Sequence, residues 1–148
     1  MKNILKTVLV LFTLFSVGCS KKDDDKIDYY LSQPRDADLN GWWSRTDEFG
    51  GLYYWNFQQS GKLLEVYSST VENPVFREYD DKYWFTEDKD NKNILNIFEK
   101  HGGLYGSIEY HFYYTVVNDT LWTSNGIEEY SNDTELKILW LKTTAPQY

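Results

Sequence analysis

From Leu39 to Tyr148 the chain never sustains one apolar period for longer than a strand. Short runs of aromatic and β-branched residues alternate with Gly, Asn and Asp clusters. This predicts an antiparallel all-β fold, because period-two alternation paints one face of a strand and the clusters supply the backbone angles of tight returns. Strands are expected at Gly41 to Arg45, Gly51 to Gln58, Leu63 to Ser68, Val75 to Tyr79, Tyr83 to Glu87, Asn93 to Glu99, Ser107 to Val117 and Leu136 to Lys142. Leu121 to Ser124 is a ninth, or replaces one of the shorter ones. Gly61, Asn118-Asp119, the run Asp88 to Lys92 and Asp80-Asp81 mark tight turns, and His101-Gly102-Gly103 with Gly106 a looser one. No segment reads as a helix.

Two strands show their faces. Ile108, Tyr110, Phe112, Tyr114 and Val116 fall on one side of the longest segment and form its expected inward set, opposite Glu109, His111, Tyr113, Thr115 and Val117. In the last segment Leu136, Ile138 and Trp140 oppose Lys137, Leu139 and Leu141, so the two outward leucines need cover from the N-terminal segment or the Tyr148 tail. Eight such strands can curl into a barrel or form two packed sheets, and the pattern alone leaves both open.

Ahead of this domain, Lys2 and Lys6 precede the apolar run Val8 to Phe15 and then Ser16-Val17-Gly18-Cys19. The run is too short to span a bilayer, which takes ~20 residues, and reads as a signal peptide over residues 1–18. Gly18 before Cys19 resembles the lipobox of bacterial lipoproteins, which implies cleavage before Cys19 and acylation of its sulfur. More than one acyl chain is what makes such anchoring durable. The following Ser20-Lys21-Lys22-Asp23-Asp24-Asp25 resembles the acidic export signal of Bacteroides-type surface lipoproteins. Residues 19–38 are then an acylated cysteine and a flexible acidic tether ending in a linker whose Tyr29 and Tyr30 can dock on the domain at 39–148. The expected location is the outer membrane, lipid-anchored and exposed at the cell surface, with the periplasmic face as the alternative.

The opening Leu39-Asn40-Gly41-Trp42-Trp43, the hairpin from Phe57 to Leu64 with Gly61 in its turn, and the pair Tyr114 to Val117 and Leu121 to Thr123 are similar to the lipocalin-like domains of small Bacteroides-type lipoproteins. The resemblance covers about residues 39 to 142. It implies an eight-stranded barrel, with a Gly-x-Trp tryptophan plugging one end.

Charge and composition narrow the partners. The chain carries 15 Lys+Arg against 23 Asp+Glu, a formal charge of -8. Loss of the leader takes two lysines away, and so acidic a protein lacks the basic face that nucleic acid requires. One cysteine excludes a disulfide framework. With 8 Phe, 6 Trp and 13 Tyr, more rings are present than one small interior can absorb. Some of them are expected to line a pocket or platform for a small hydrophobic or glycan ligand, and strand position favours Tyr53, Trp55, Trp84, Tyr113 and Trp122. The competing reading is that Tyr and Trp simply suit half-exposed strands.

No catalytic set is expected. His101 and His111 are the only histidines, and Glu109, His111 and Tyr113 on one face read first as a polar stripe. Adjacent pairs such as Asp80-Asp81 and Glu128-Glu129 point apart in extended chain. Neither a cofactor nor a metal site is expected, since Asp88, Asp90 and Asn93 lack the glycine and glutamate positions of a calcium loop. The reading is therefore a non-catalytic, lipid-anchored ligand-binding barrel. The alternative is an interaction module, either an accessory subunit or an inhibitor in an envelope assembly, and an exposed apolar patch on the wall would favour it.

Overall fold

The computed structural model describes residues 18–69, 74–101, 106–125 and 137–147. Eight antiparallel strands follow one another around a closed barrel: β1 (Gly41–Thr46), β2 (Leu52–Phe57), β3 (Lys62–Ser68), β4 (Arg77–Lys89), β5 (Lys92–Glu99), β6 (Ile108–Val117), β7 (Thr120–Asn125) and β8 (Lys137–Thr143). Pairing of Trp43 with Lys142 joins β1 to β8 and completes the ring, so the two-sheet sandwich is excluded. No sheet edge remains to template aggregation.

The eight strands are reached by a different count from the expected one. Val75 to Tyr79 and Tyr83 to Glu87 are halves of β4, which runs straight through Asp80-Asp81, and Leu121 to Ser124 supplies the missing strand as β7. The aspartates do not turn the chain because the extra residue is taken up as a bulge, where Leu63 faces Lys82 but Glu65 faces Tyr79. The backbone of Lys100 also donates to the Asp81 carbonyl at 2.9 Å.

The two ends of the barrel differ. At one end, strands are joined by tight turns: Asp90-Asn91 with φ of 56° and 61°, Asn118 with φ 54°, and the return at Gly61 with φ 90°. Asn and Asp tolerate this left-handed region, and Gly61 suits its φ of 90°, where a side chain would be strained and would also displace the Arg35 guanidinium. At the other end β1 leads to β2, β3 to β4, β5 to β6 and β7 to β8, each pair separated by more residues of sequence. The turn end is plugged. A 3-10 helix (Ala37–Leu39) buries Leu39 beneath Trp43, whose indole N–H donates to the Leu39 carbonyl at 2.7 Å. Trp84, Phe57, Leu63, Leu95, Leu121 and Tyr114 fill the space around them. The Tyr114 hydroxyl donates to Asp36 Oδ2 at 2.9 Å, and burial, then Asp36, raises its pKa.

Among the described residues one α-helix stands against expectation: α1 (Gly18–Ser32), in the segment read as a flexible tether and linker. Its apolar face is a single i, i+3 pair, Ile27 and Tyr30, too little to show as a period; packing on β4 and β5 stabilises it instead. Tyr30 is buried against Phe85 and Phe98, at ring centroid separations of 4.8 and 5.4 Å. Arg35 Nη2 closes the helix by donating to the Tyr30 and Leu31 carbonyls. Lys26 pairs with Glu109, and Lys100 with Asp24. These bonds place the start of α1 at the loop end and its last turn toward the plug. Among the described residues no helix is long and apolar enough to cross a membrane. The leader, Glu128-Glu129 and Tyr148 lie outside the described residues, as do the Cys19 side chain and Gly102-Gly103.

The expected faces hold in part. Phe112, Tyr114, Val116, Ile138 and Trp140 face the core, but Ile108 and Tyr110 stand at the loop end and are exposed. Leu139 and Leu141 are 41% and 54% exposed. The cover expected from the N-terminal segment goes instead to β4 and β5, whose outward Phe85 and Phe98 need it more.

Candidate functional site

The five favoured rings divide among three places. Trp84 is fully buried at the turn end and its indole N–H donates to the Gln58 carbonyl at 3.1 Å, so it presents no face to a ligand. Tyr53 and Trp55 point inward on β2, toward the loop end. Tyr113 and Trp122 stand together on the outer wall. Strand position alone grouped rings that the barrel separates by face and by height.

The interior above the plug is filled by rings and then by charge. Trp55 stacks on Trp140 with centroids 4.1 Å apart, and the Arg45 guanidinium lies 4.0 Å over Tyr53 and 5.1 Å over Trp140. Glu65 accepts from the Trp55 indole at 2.8 Å and from Lys82 at 3.0 Å; Lys82 also reaches Glu99 Oε2 at 3.3 Å. Side chains of Lys82, Glu65 and Glu99 are only 11%, 19% and 12% exposed. Burial opposes the Lys82 charge, yet Glu65 and then Glu99 more than offset it, and its pKa is raised. Tyr110 donates to Glu99 Oε2 at 3.2 Å, and its pKa is raised by burial and then by Glu99. An interior carrying three such charges is a poor host for a purely apolar ligand, because seating one would strip their remaining water.

The outer wall holds a groove of about 550 Å³. It exists because the register is staggered: β5 pairs with β6 only as far as Ile94 opposite Tyr113, so the β4–β5 turn ends partway along β6 and leaves a step. Tyr113 and Trp122 form its aromatic wall, with Trp122 39% exposed. Asn91 and Asn93 bring amides from the turn, and Thr115 and Ser124 bring hydroxyls. The Lys92 ammonium lies 4.7 Å over the Tyr113 ring. Such a groove is mixed in character, with flat apolar rings among amides, hydroxyls and two lysines, Lys92 and Lys137.

The stripe Glu109, His111 and Tyr113 does not act together. Glu109 is engaged by Lys26, Tyr113 by Lys92, and His111 Nδ1 lies 2.6 Å from Asn96 Oδ1. A different group forms at the loop end, where Asp81, Glu99 and His101 place ligating atoms within 4.8 Å of one another. Sequence reading missed it, treating Asp81 as a turn residue and His101 as a loop residue. The available signal was Glu99-x-His101, the last residue of β5 and the second residue beyond it. Asp81 joins them only through the β4–β5 register.

Comparison with protein-family models, with curated proteins and with solved structures finds no match to this chain. The architecture and the side chains described above therefore carry the functional argument alone.

Proposed function

We propose that the protein is a non-catalytic, lipid-anchored binding protein of the bacterial cell envelope that takes a glycan segment in the groove walled by Tyr113 and Trp122. The observation that carries this is the groove itself: about 550 Å³, inside the range of small-ligand sites, with two rings beside amides and hydroxyls. Sugar rings offer apolar faces for stacking and hydroxyls for those groups. A lipid chain would leave the amides unpaired.

The lipobox-like Gly18-Cys19 supports the anchor, and the docked helix bears on its geometry. Cys19 precedes Asp24 by five residues, about 7.5 Å of helix rise, and Asp24 is bonded to Lys100 at the loop end. An acylated Cys19 thus turns the loop end toward the membrane and leaves the lateral groove facing solvent. Cys19→Ser is expected to shift the protein from the membrane fraction to the soluble one; unchanged membrane retention would overturn the anchor.

Binding is tested on detergent-solubilised protein with a panel of neutral hexasaccharides, read by tryptophan emission. One or more members should perturb the emission, and Trp122→Ala should abolish the response while leaving the β-sheet circular dichroism intact. A panel with no response, or a response that survives Trp122→Ala, rejects the reading. A second reading rests on Val117, Leu139 and Leu141, which are 56%, 41% and 54% exposed on the wall next to Trp122. That strip suits a protein partner in an envelope assembly.

A further inference from the structure

We propose that Asp81, Glu99 and His101 form a binding site for a divalent transition-metal ion such as Zn2+ at the loop end of the barrel. Each offers one ligating atom, and these atoms lie within 4.8 Å of one another. One imidazole and two carboxylates make the kind of N/O set that such ions take, leaving a further position for water or a ligand.

The two oxygens of Glu99 divide the work. Oε1 lies 2.9 Å from His101 Nε2, inside the group. Oε2 is held by Lys82 at 3.3 Å and by the Tyr110 hydroxyl at 3.2 Å, outside it. A ligating carboxylate whose other oxygen is fixed by hydrogen bonds is the support that metal sites commonly have. Asp81 adds an independent sign: its Oδ1 is buried and has no hydrogen-bond partner. A carboxylate oxygen removed from water costs stability unless something pairs with it, and a cation would.

Charge points the same way. Glu65 and Glu99 share one lysine, Lys82, and Asp81 brings a third carboxylate to the group. The three carboxylates exceed that lysine by two negative charges, which one divalent ion cancels. Ligand atoms around Zn2+ sit about 3.3 Å apart, given bonds near 2.0 Å and tetrahedral angles. Glu99 Oε1 and His101 Nε2 already lie 2.9 Å apart and no pair in the group exceeds 4.8 Å, so side-chain rotation, for which the 36% exposed His101 has room, is what the geometry asks for.

The test is calorimetric titration of the untagged, detergent-solubilised protein with ZnCl2 after chelator treatment, paired with Co2+ absorption spectra. One equivalent should bind, with visible Co2+ bands of a nitrogen-oxygen site. Asp81→Asn and His101→Gln should each weaken Zn2+ binding at least about tenfold. His111→Gln, on the other histidine, should leave it unchanged. If Asp81→Asn does not fold, His101→Gln decides alone, because its side chain is not part of the core. Absence of a one-equivalent site overturns the proposal, as does undiminished affinity in His101→Gln.

Discussion

The turn end and the loop end of the barrel are made from the same eight strands but solve opposite problems. At the turn end, Leu39, Trp43, Phe57 and Trp84 are packed without access to water, and each indole there meets a backbone carbonyl. At the loop end, Arg45, Glu65, Lys82 and Glu99 bring charges into the interior instead, with Lys82 held between the two glutamates. A chain selected for stability alone would repeat the first arrangement at both ends, since well-packed apolar residues match or exceed an ion pair in stabilising an interior. The contrast assigns stability to the plug, and the proposed metal and glycan sites both lie outside it.

The sharpest way to break this division is at the plug. Trp43→Ala removes the ring that seals the barrel and strands the Leu39 carbonyl, and is expected to cost about 3–5 kcal/mol. Urea denaturation followed by circular dichroism measures it. A loss under about 1 kcal/mol would show that the plug is dispensable and that the two ends are not specialised.

A second perturbation separates charge from packing at the other end. Lys82→Met leaves Glu65 and Glu99 buried with no cation and is expected to destabilise by about 2–4 kcal/mol, since breaking a buried pair exposes the full cost of the remaining charges. Combining Lys82→Met with Glu65→Gln and Glu99→Gln should return stability to within about 1 kcal/mol of the parent. The same denaturation experiment decides. If the triple variant stays as unstable as Lys82→Met, the network is needed for the fold and the contrast between the ends weakens.

Much of the barrel was legible because alternation is a local signal. Phe112, Tyr114 and Val116 on β6 declare their inward face through Tyr113 and Thr115 between them, and Ile138 and Trp140 on β8 declare theirs through the lysine that opens the opposite face, Lys137. What escaped was decided by tertiary contact. Asp80-Asp81 has the composition of a turn, and only the bulge opposite Leu63 and Glu65 keeps β4 extended. The α1 helix rests on Tyr30 meeting Phe85 and Phe98, partners 55 and 68 residues away. Of the rings, Tyr113 and Trp122 were rightly read as rings on strands, but their meeting depends on a register stagger that composition does not encode. Asp81 and His101 were invisible as a pair for the same reason.

The smallest effect concerns pH and again contrasts two places: Tyr114 beneath the plug and Tyr30 under the helix. Both phenols have pKa values raised above the ordinary 10.0, in each case by burial first, with Asp36 adding to Tyr114 and Glu109 to Tyr30. Below pH 10 the folded and unfolded chains both hold these protons. Above it the unfolded chain releases them while the folded chain does not, so the unfolded state binds fewer protons and stability falls as pH rises toward the folded pKa values. Tyr114→Phe removes one of the two phenols, and with it the hydrogen bond to Asp36, at an expected cost of about 1–2 kcal/mol at neutral pH. Its stability curve should then fall less steeply than the parent's above pH 10, and Tyr30→Phe should flatten it independently. Thermal melts from pH 8 to 11 test this. Parallel slopes for the parent and both single variants would mean that neither phenol is held neutral by the fold, and that the seal at the turn end is looser than its geometry implies.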